Sequence, residues 1–102
     1  MTTTLHIGII GGGPAGYVAA SHAAATGARV TLVEQASMGG ACLQRGCIPT
    51  KRLVVISHLI HKIREAERFG IELAGQAIPR WEKMRAGIEQ LVSGIERGLQ
   101  GS

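Results

Sequence analysis

The sequence has only two cysteines and three aromatic residues, one each of Phe, Tyr and Trp. No apolar run approaches the about 20 residues that a membrane-spanning helix requires, which argues against a membrane partner. The opening residues, Met1-Thr2-Thr3-Thr4-Leu5, carry no basic region and no small-residue cleavage site, so they do not read as a secretory signal. Two cysteines without such a signal point away from a disulfide scaffold, toward catalysis or metal binding, and place the chain in the cytoplasm. The scarcity of aromatics leaves no stacking surface for single-stranded nucleic acid. Eleven Lys and Arg against seven Asp and Glu give a net charge of +4. They are spread through helical segments as solvated faces, so no nucleic-acid partner is expected. There is no internal repeat and no low-complexity tract.

What is present is enough for one small domain: 102 residues, 45% of them apolar. Residues 5–10, Leu-His-Ile-Gly-Ile-Ile, form a short β-branched run ended by glycine and are predicted to be a strand buried on both faces. Gly11-Gly12-Gly13-Pro14-Ala15-Gly16 follows at once. Residues 17–25 are predicted as a small-residue helix stopped by Gly27, and residues 29–34 as a second strand ending in Glu34. Together these make a βαβ unit with a connection long enough for a right-handed crossover. Gly11, Gly13 and Gly16 satisfy G-x-G-x-x-G, and Glu34 lies 23 residues after Gly11. The first glycine permits the tight turn, the second lets the backbone approach a pyrophosphate, and the third lets helix pack on strand. A diphosphate then meets the free N–H groups of the helix N-terminus, and Glu34 is placed for ribose hydroxyls. This unit alone does not separate FAD from NAD.

The second half is helical. Residues 49–69 place Leu53, Ile56, Leu59, Ile60, Ile63 and Ala66 on one stripe, with Gly70 as the stop. A loop through Gly75 and Pro79 leads to a second helix, whose stripe is Trp81, Met84, Ile88, Leu91, Val92, Ile95 and Leu99. The pair is expected to pack as an antiparallel hairpin, with Trp81 and the methionine as packing residues. His58 and His61 sit one turn apart but lack a third ligand, so no metal site is assigned to them. His6 and His22 are given no role either.

Between these halves lies Gly39-Gly40-Ala41-Cys42-Leu43-Gln44-Arg45-Gly46-Cys47-Ile48-Pro49-Thr50-Lys51, holding both cysteines. Residues five apart in a regular helix have Cα atoms roughly 8–9 Å apart, whereas a disulfide needs about 4.4–6.8 Å. If Cys42 and Cys47 are bonded, the backbone between them is not a regular helix. Gly46 and the Gly39-Gly40 pair supply the freedom for a turn. Pro49 suits the first turn of a helix, which puts Cys47 at a helix N-terminus where a thiolate is favoured. A structural staple is disfavoured by compartment and by the small loop. A zinc half-site is disfavoured by the spacing and the lack of a second pair. Redox chemistry fits best, with Arg45 and Lys51 close by and a dinucleotide unit just upstream.

The segment Gly-Gly-x-Cys-Leu-x-x-Gly-Cys-Ile-Pro-Thr-Lys resembles the redox-active site of flavin-dependent disulfide reductases, the class I pyridine nucleotide-disulfide oxidoreductases. The likeness is strongest to the dihydrolipoamide dehydrogenase branch. The Cys-Ile-Pro-Thr-Lys ending modestly favours that branch over glutathione or mercuric reductases, and the likeness runs from Ile7 through the second helix. It implies that the dinucleotide is FAD, held by Gly11, Gly13, Pro14, Ala15, Gly16, Glu34, Gly40 and Ala41. It further implies that Cys42 is the interchange thiol, that Cys47 is the charge-transfer thiol against the flavin, and that Lys51 contacts the flavin. Ala41 departs from the threonine usual there, for which a small effect on flavin affinity is expected. The reaction implied is oxidation of a protein-bound dihydrolipoyl group, with NAD as final acceptor. The partner implied is the lipoyl domain of a 2-oxoacid dehydrogenase or glycine cleavage complex.

The resemblance also implies a chain several times longer, with an NAD domain and a dimerisation domain that build a homodimer. The expectation is therefore an α/β chain forming the N-terminal portion of an FAD-binding domain. Residues 1–37 form the Rossmann-type βαβ unit of two parallel strands, 38–51 the redox disulfide loop, and 52–102 the helical hairpin. Such a piece is expected to be inactive alone. The alternatives are a non-catalytic dinucleotide-binding or interaction module, or part of a glutathione or mercuric reductase.

Overall fold

The structure is a computed structural model that describes residues 3–101. Met1 and Thr2, within the segment where no secretory signal was read, and Ser102, the end of the expected hairpin, lie outside the described residues. Strand β1 (His6–Ile10) and strand β2 (Arg29–Val33) pair in parallel, with His6 opposite Arg29 and Ile10 opposite Val33. Helix α1 (Pro14–Ala25) makes the crossover. It starts at Pro14 rather than Tyr17, because proline is pre-set for the first helical position and loses no hydrogen bond there. At its other end Gly27 takes a left-handed φ of 91°, a conformation glycine adopts without a Cβ penalty.

The strands alternate as a sheet covered on one side only. Ile9 lies against α1 at Gly16, and Val30 and Leu32 line a cleft with Tyr17, Ala20 and Ala24 of that helix. The opposite face carries His6 and Thr31, hydrogen-bonded at 2.8 Å, and at its far end Ile10 and Val33. Ile10 is 95% exposed. The expectation of a strand buried on both faces is thus corrected. A parallel sheet is buried when helices cover both of its faces, and here one helix covers one face.

Three further helices follow: α2 (Gly40–Arg45), α3 (Cys47–Arg64) and α4 (Trp81–Gln100). Helix α3 ends at Arg64, five residues short of the predicted end at residue 69. Residues Ala66–Phe69 tighten into a 3₁₀ turn, and Gly70, with φ 77°, closes it in the left-handed region. Helices α3 and α4 run antiparallel. Pro49 and Leu53 share a groove with Ile88 and Val92, while Ile56 and Ile60 share one with Pro79 and Met84. The architecture is therefore a two-stranded parallel βαβ unit followed by a helical hairpin, a partial Rossmann-like unit.

Among the described residues the buried hydrophobic side chains are Leu43, Ala66 and Ile88. Leu53 and Leu59 of the predicted α3 stripe remain exposed, and Trp81 lines the groove with Pro49, Leu53 and Ile88 while staying 58% exposed. The hairpin extends away from the sheet. The chain measures 74 × 26 × 17 Å with a radius of gyration of 20.6 Å, against about 13 Å for a compact domain of this length. No described helix is long and apolar enough to cross a membrane.

Candidate functional site

The glycine turn between β1 and α1 is held by four backbone relationships. The Gly11 N–H donates to the Val33 carbonyl at 2.8 Å, extending the ladder one residue past the strand. Gly11 then turns with φ 103°. At the third glycine of the motif, a Cβ would collide with the Gly11 carbonyl oxygen, so helix and turn approach as only glycine allows. Gly13 caps α1 without a side chain, which leaves the first-turn amides of the helix without intrahelical acceptors. Pro14 and Ala15 occupy that first turn, exposed.

Glu34, just beyond β2, closes the turn from the other side. Its Oε2 accepts from the Gly12 N–H at 2.7 Å and its Oε1 from the Ala36 N–H at 3.1 Å. The Gly12 amide first, and the Ala36 amide next, hold this carboxyl below the usual carboxylate range. A carboxylate offers about four acceptor sites, so two bonds leave capacity for hydroxyl donors.

A second glycine pair docks on the first. The Gly39 N–H donates to the Gly12 carbonyl at 2.8 Å, and a Cβ on Gly40 would stand 3.0 Å from the Gly13 Cα. Gly39 and Gly40 both have positive φ, 106° and 71°. This contact seats the start of α2 on the glycine turn. Leu43, 4% exposed, anchors the inner side of α2. The Gln44 Nε2 donates to the Met38 carbonyl at 3.0 Å and to Glu96 Oε2 of α4 at 3.4 Å.

The segment between the cysteines takes the form of a break between two helices. Gly46 has φ −119° and ψ −110°, ends α2 and starts α3. A Cβ there would lie 3.2 Å from the Ala41 carbonyl oxygen and 3.3 Å from the Cys42 Cα, so the fold is tight at this point. Cys42 and Cys47 are bonded, with Cα atoms 4.8 Å apart, inside the range a disulfide accepts. Cys47 is the first residue of α3, Pro49 lies in its first turn, and Lys51 is exposed one turn further on. Cys47 thus stands at the N-terminus of the long helix, which has no side-chain cap.

Gly11, Gly13, Pro14, Ala15, Gly16, Glu34 and Gly40 thus gather around one turn, with Ala41 and Cys42 next along α2. Sequence reasoning did not single out Gly12, Met38, Gln44 or Glu96. Gly12 occupies a position the motif leaves free, yet it is buried and its amide fixes Glu34. His6 is spent on Thr31 and His61 on Glu65 at 3.2 Å. No group of three or more potential metal ligands occurs among the described residues.

Residues 5–100 match the family described as pyridine nucleotide-disulphide oxidoreductase. The chain belongs to that family. A dihydrolipoyl dehydrogenase of Bacillus subtilis (strain 168) is 47% identical over 95 residues, covering 92% of this chain and 21% of the relative. One of Chlamydia pneumoniae is 42% identical over 101 residues, covering 99% and 22%. Dihydrolipoyl dehydrogenase 3 of Haloarcula marismortui is 44% identical over 101 residues, covering 95% and 21%. The likeness to dihydrolipoamide dehydrogenase read from the cysteine segment therefore extends over nearly the whole chain. This pyridine nucleotide-disulphide oxidoreductase sequence spans about a fifth of the length of the curated relatives it matches. The residues gathered at the turn fit a dinucleotide. A Cβ at Gly16 would displace the Gly11 carbonyl, a Cβ at Gly40 would press on Gly13, and an ionised carboxylate closes the far side.

Proposed function

We propose that this chain carries the disulfide and FAD half-site of a dihydrolipoyl dehydrogenase, an enzyme that oxidises a protein-bound dihydrolipoyl group with NAD as final acceptor. The observation that carries this reading is the Cys42–Cys47 disulfide lying across a helix break whose leading edge, Gly39-Gly40, is seated on the dinucleotide turn. The adenosine ribose would be held by Glu34, and the diphosphate by the amides opening α1 beside Gly11, Gly13 and Gly40. Pro14, Ala15 and Ala41 line the same approach, and Lys51 is assigned to the flavin side of the site. Bound FAD would supply the two-electron relay between the thiol pair and NAD.

The chain's own chemistry is thiol–disulfide exchange. A substrate thiolate attacks the Cys42 sulfur, the Cys42–Cys47 bond breaks, and its electron pair stays on Cys47 as a thiolate. The second substrate thiol gives up its proton, displaces Cys42 and closes the substrate disulfide, and Cys42 leaves as a thiol. Two electrons have then passed to the pair. Attack at Cys42 is preferred because the sulfur expelled, Cys47, sits at the N-terminus of an 18-residue helix, whose dipole stabilises the departing charge. The expected partner is the lipoyl domain of a 2-oxoacid dehydrogenase or glycine cleavage complex, and the complete enzyme is expected to be a homodimer in the cytoplasm. The 102-residue chain alone is assigned no turnover.

The test is a titration of the purified protein, mixed with FAD, by dihydrolipoamide, followed by flavin absorbance and by alkylation of released thiols. Flavin retained by the protein, and a disulfide opened stoichiometrically by the dithiol, support the assignment. A colourless protein whose disulfide is inert to dihydrolipoamide overturns it, and leaves a non-catalytic binding module.

A further inference from the structure

The Gln44 amide sits inside the cysteine segment and reaches two places at once. Its Nε2 donates to the Met38 carbonyl at 3.0 Å and to the Glu96 carboxylate at 3.4 Å, across a separation of 52 residues. Met38 in turn packs against the buried Gly12, where its side chain would meet any Cβ placed on that glycine. One side chain therefore ties the disulfide helix both to the last helix of the hairpin and to the back of the nucleotide turn. The Gly39 N–H bond to the Gly12 carbonyl shares the second of these ties. Helix α2 is six residues long and has one buried side chain, Leu43.

We propose that Gln44 and Glu96 are positioning residues that set the redox equilibrium of the Cys42–Cys47 pair. The two cysteines lie on separate helices joined only through Gly46. With the sulfurs reduced, nothing covalent except that glycine keeps α2 facing α3. The chance that the thiols meet again is then governed by how firmly α2 is held. A tether to α4 raises the effective concentration of one thiol near the other, which favours the closed disulfide. Loosening the tether lets the thiols separate and favours the dithiol. The inference gains its purpose from the redox reading proposed above. It concerns a sulfur–sulfur equilibrium that is measurable without flavin or NAD, so the two can fail independently.

The experiment equilibrates the full chain with mixtures of reduced and oxidised dithiothreitol, quenches by alkylation, and counts modified cysteines by mass. The reagent's two thiols give two electrons and two protons to the Cys42–Cys47 bond, which opens to two thiols as the reagent closes to its cyclic disulfide. Glu96→Ala removes the acceptor of the bond to α4, and Gln44→Met removes its donor together with the bond to the Met38 carbonyl. Each is expected to shift the equilibrium toward the dithiol by about three- to tenfold. The double variant is expected to shift it no further than the larger single change, because the two ends share one interaction. Glu96→Gln keeps an acceptor and should restore most of the wild-type value. Glu89→Ala, which breaks only the surface pair with Arg85, should change nothing. Additive shifts, a Glu96→Gln variant as displaced as Glu96→Ala, or a wild-type equilibrium in both single variants would each overturn the proposal. Far-UV circular dichroism of each variant accompanies the measurement. A variant that loses helix while keeping the wild-type equilibrium also counts against it.

Discussion

The Glu34 carboxylate accepts a hydrogen bond of 2.7 Å from the Gly12 amide, so the acid ending the second strand and the middle glycine of the first turn form one unit. An acid at this place is usually described by what it would offer a ribose. Here it also shapes the turn itself, because it fixes the amide between Gly11 and Gly13. Its low proton affinity follows from the same bond, with the Ala36 amide adding to it.

Acid should therefore loosen the turn. A carboxyl whose proton affinity is lowered by folding contributes stability that is complete above its unfolded titration range. That contribution is lost as the pH falls through its lowered folded range. Far-UV and near-UV circular dichroism followed downward in pH should show a transition in the acid region that Glu34→Gln weakens. Glutamine keeps an acceptor for Gly12 but has no charge to titrate. An acid limb identical in wild type and variant would assign that loss to other carboxyls.

The packing of the two glycine turns makes a separate prediction. Gly16→Ala places a methyl where the Gly11 carbonyl oxygen stands, and backbone cannot step aside as a side-chain end can. The expected cost is about 1–3 kcal/mol in urea denaturation, the range for overpacking a filled site, together with weaker FAD retention. Gly27→Ala has open space but a φ of 91°. It is expected to cost stability through strain alone and to leave FAD retention unchanged. Equal loss of FAD in both variants would remove the glycine turn from the cofactor site.

Exposure governs the behaviour of the chain in isolation. With Ile10 95% and Phe69 79% exposed, and few hydrophobic side chains buried, the two strands and projecting hairpin present apolar surface that favours association. The 102-residue chain should bind a hydrophobic dye, elute as associated species at micromolar concentration, and produce no lipoamide-dependent NADH. A strictly monomeric chain that binds no hydrophobic dye, or any dithiol-dependent NADH formation, would contradict this.

The parts of the site readable from sequence are those whose logic is local. Gly11, Gly13, Gly16 and Glu34 are placed by a spacing that the βαβ crossover dictates, and Cys47 by a proline two residues further on. The bar on a regular helix between the cysteines follows from distance alone, and the helix break at Gly46 obeys it. What escaped depends on packing between distant segments. Glu96 meets Gln44 across 52 residues, with no periodicity to announce it. The partial exposure of Trp81 is likewise invisible to a helical stripe, since periodicity identifies an apolar face and not what covers it.

The helix break carries the last prediction. Cys42 and Cys47 share one bond but sit at helices of very different length, six residues against 18. The dipole at a helix end grows from aligned peptide units, and a thiolate at the start of the longer helix gains more from it. In the Cys42→Ser variant the remaining Cys47 is also exposed, whereas the Cys42 left by Cys47→Ser is half-buried. Iodoacetamide at neutral pH should therefore alkylate Cys47 several-fold faster than Cys42, and the ratio should fall when the chain is unfolded in urea. The urea comparison separates the two contributions from intrinsic thiol reactivity, because both vanish with the helix. If Cys42 reacts faster in the folded chain, the helix terminus does not favour the Cys47 thiolate. The order of attack assigned to the two sulfurs would then have to be reversed.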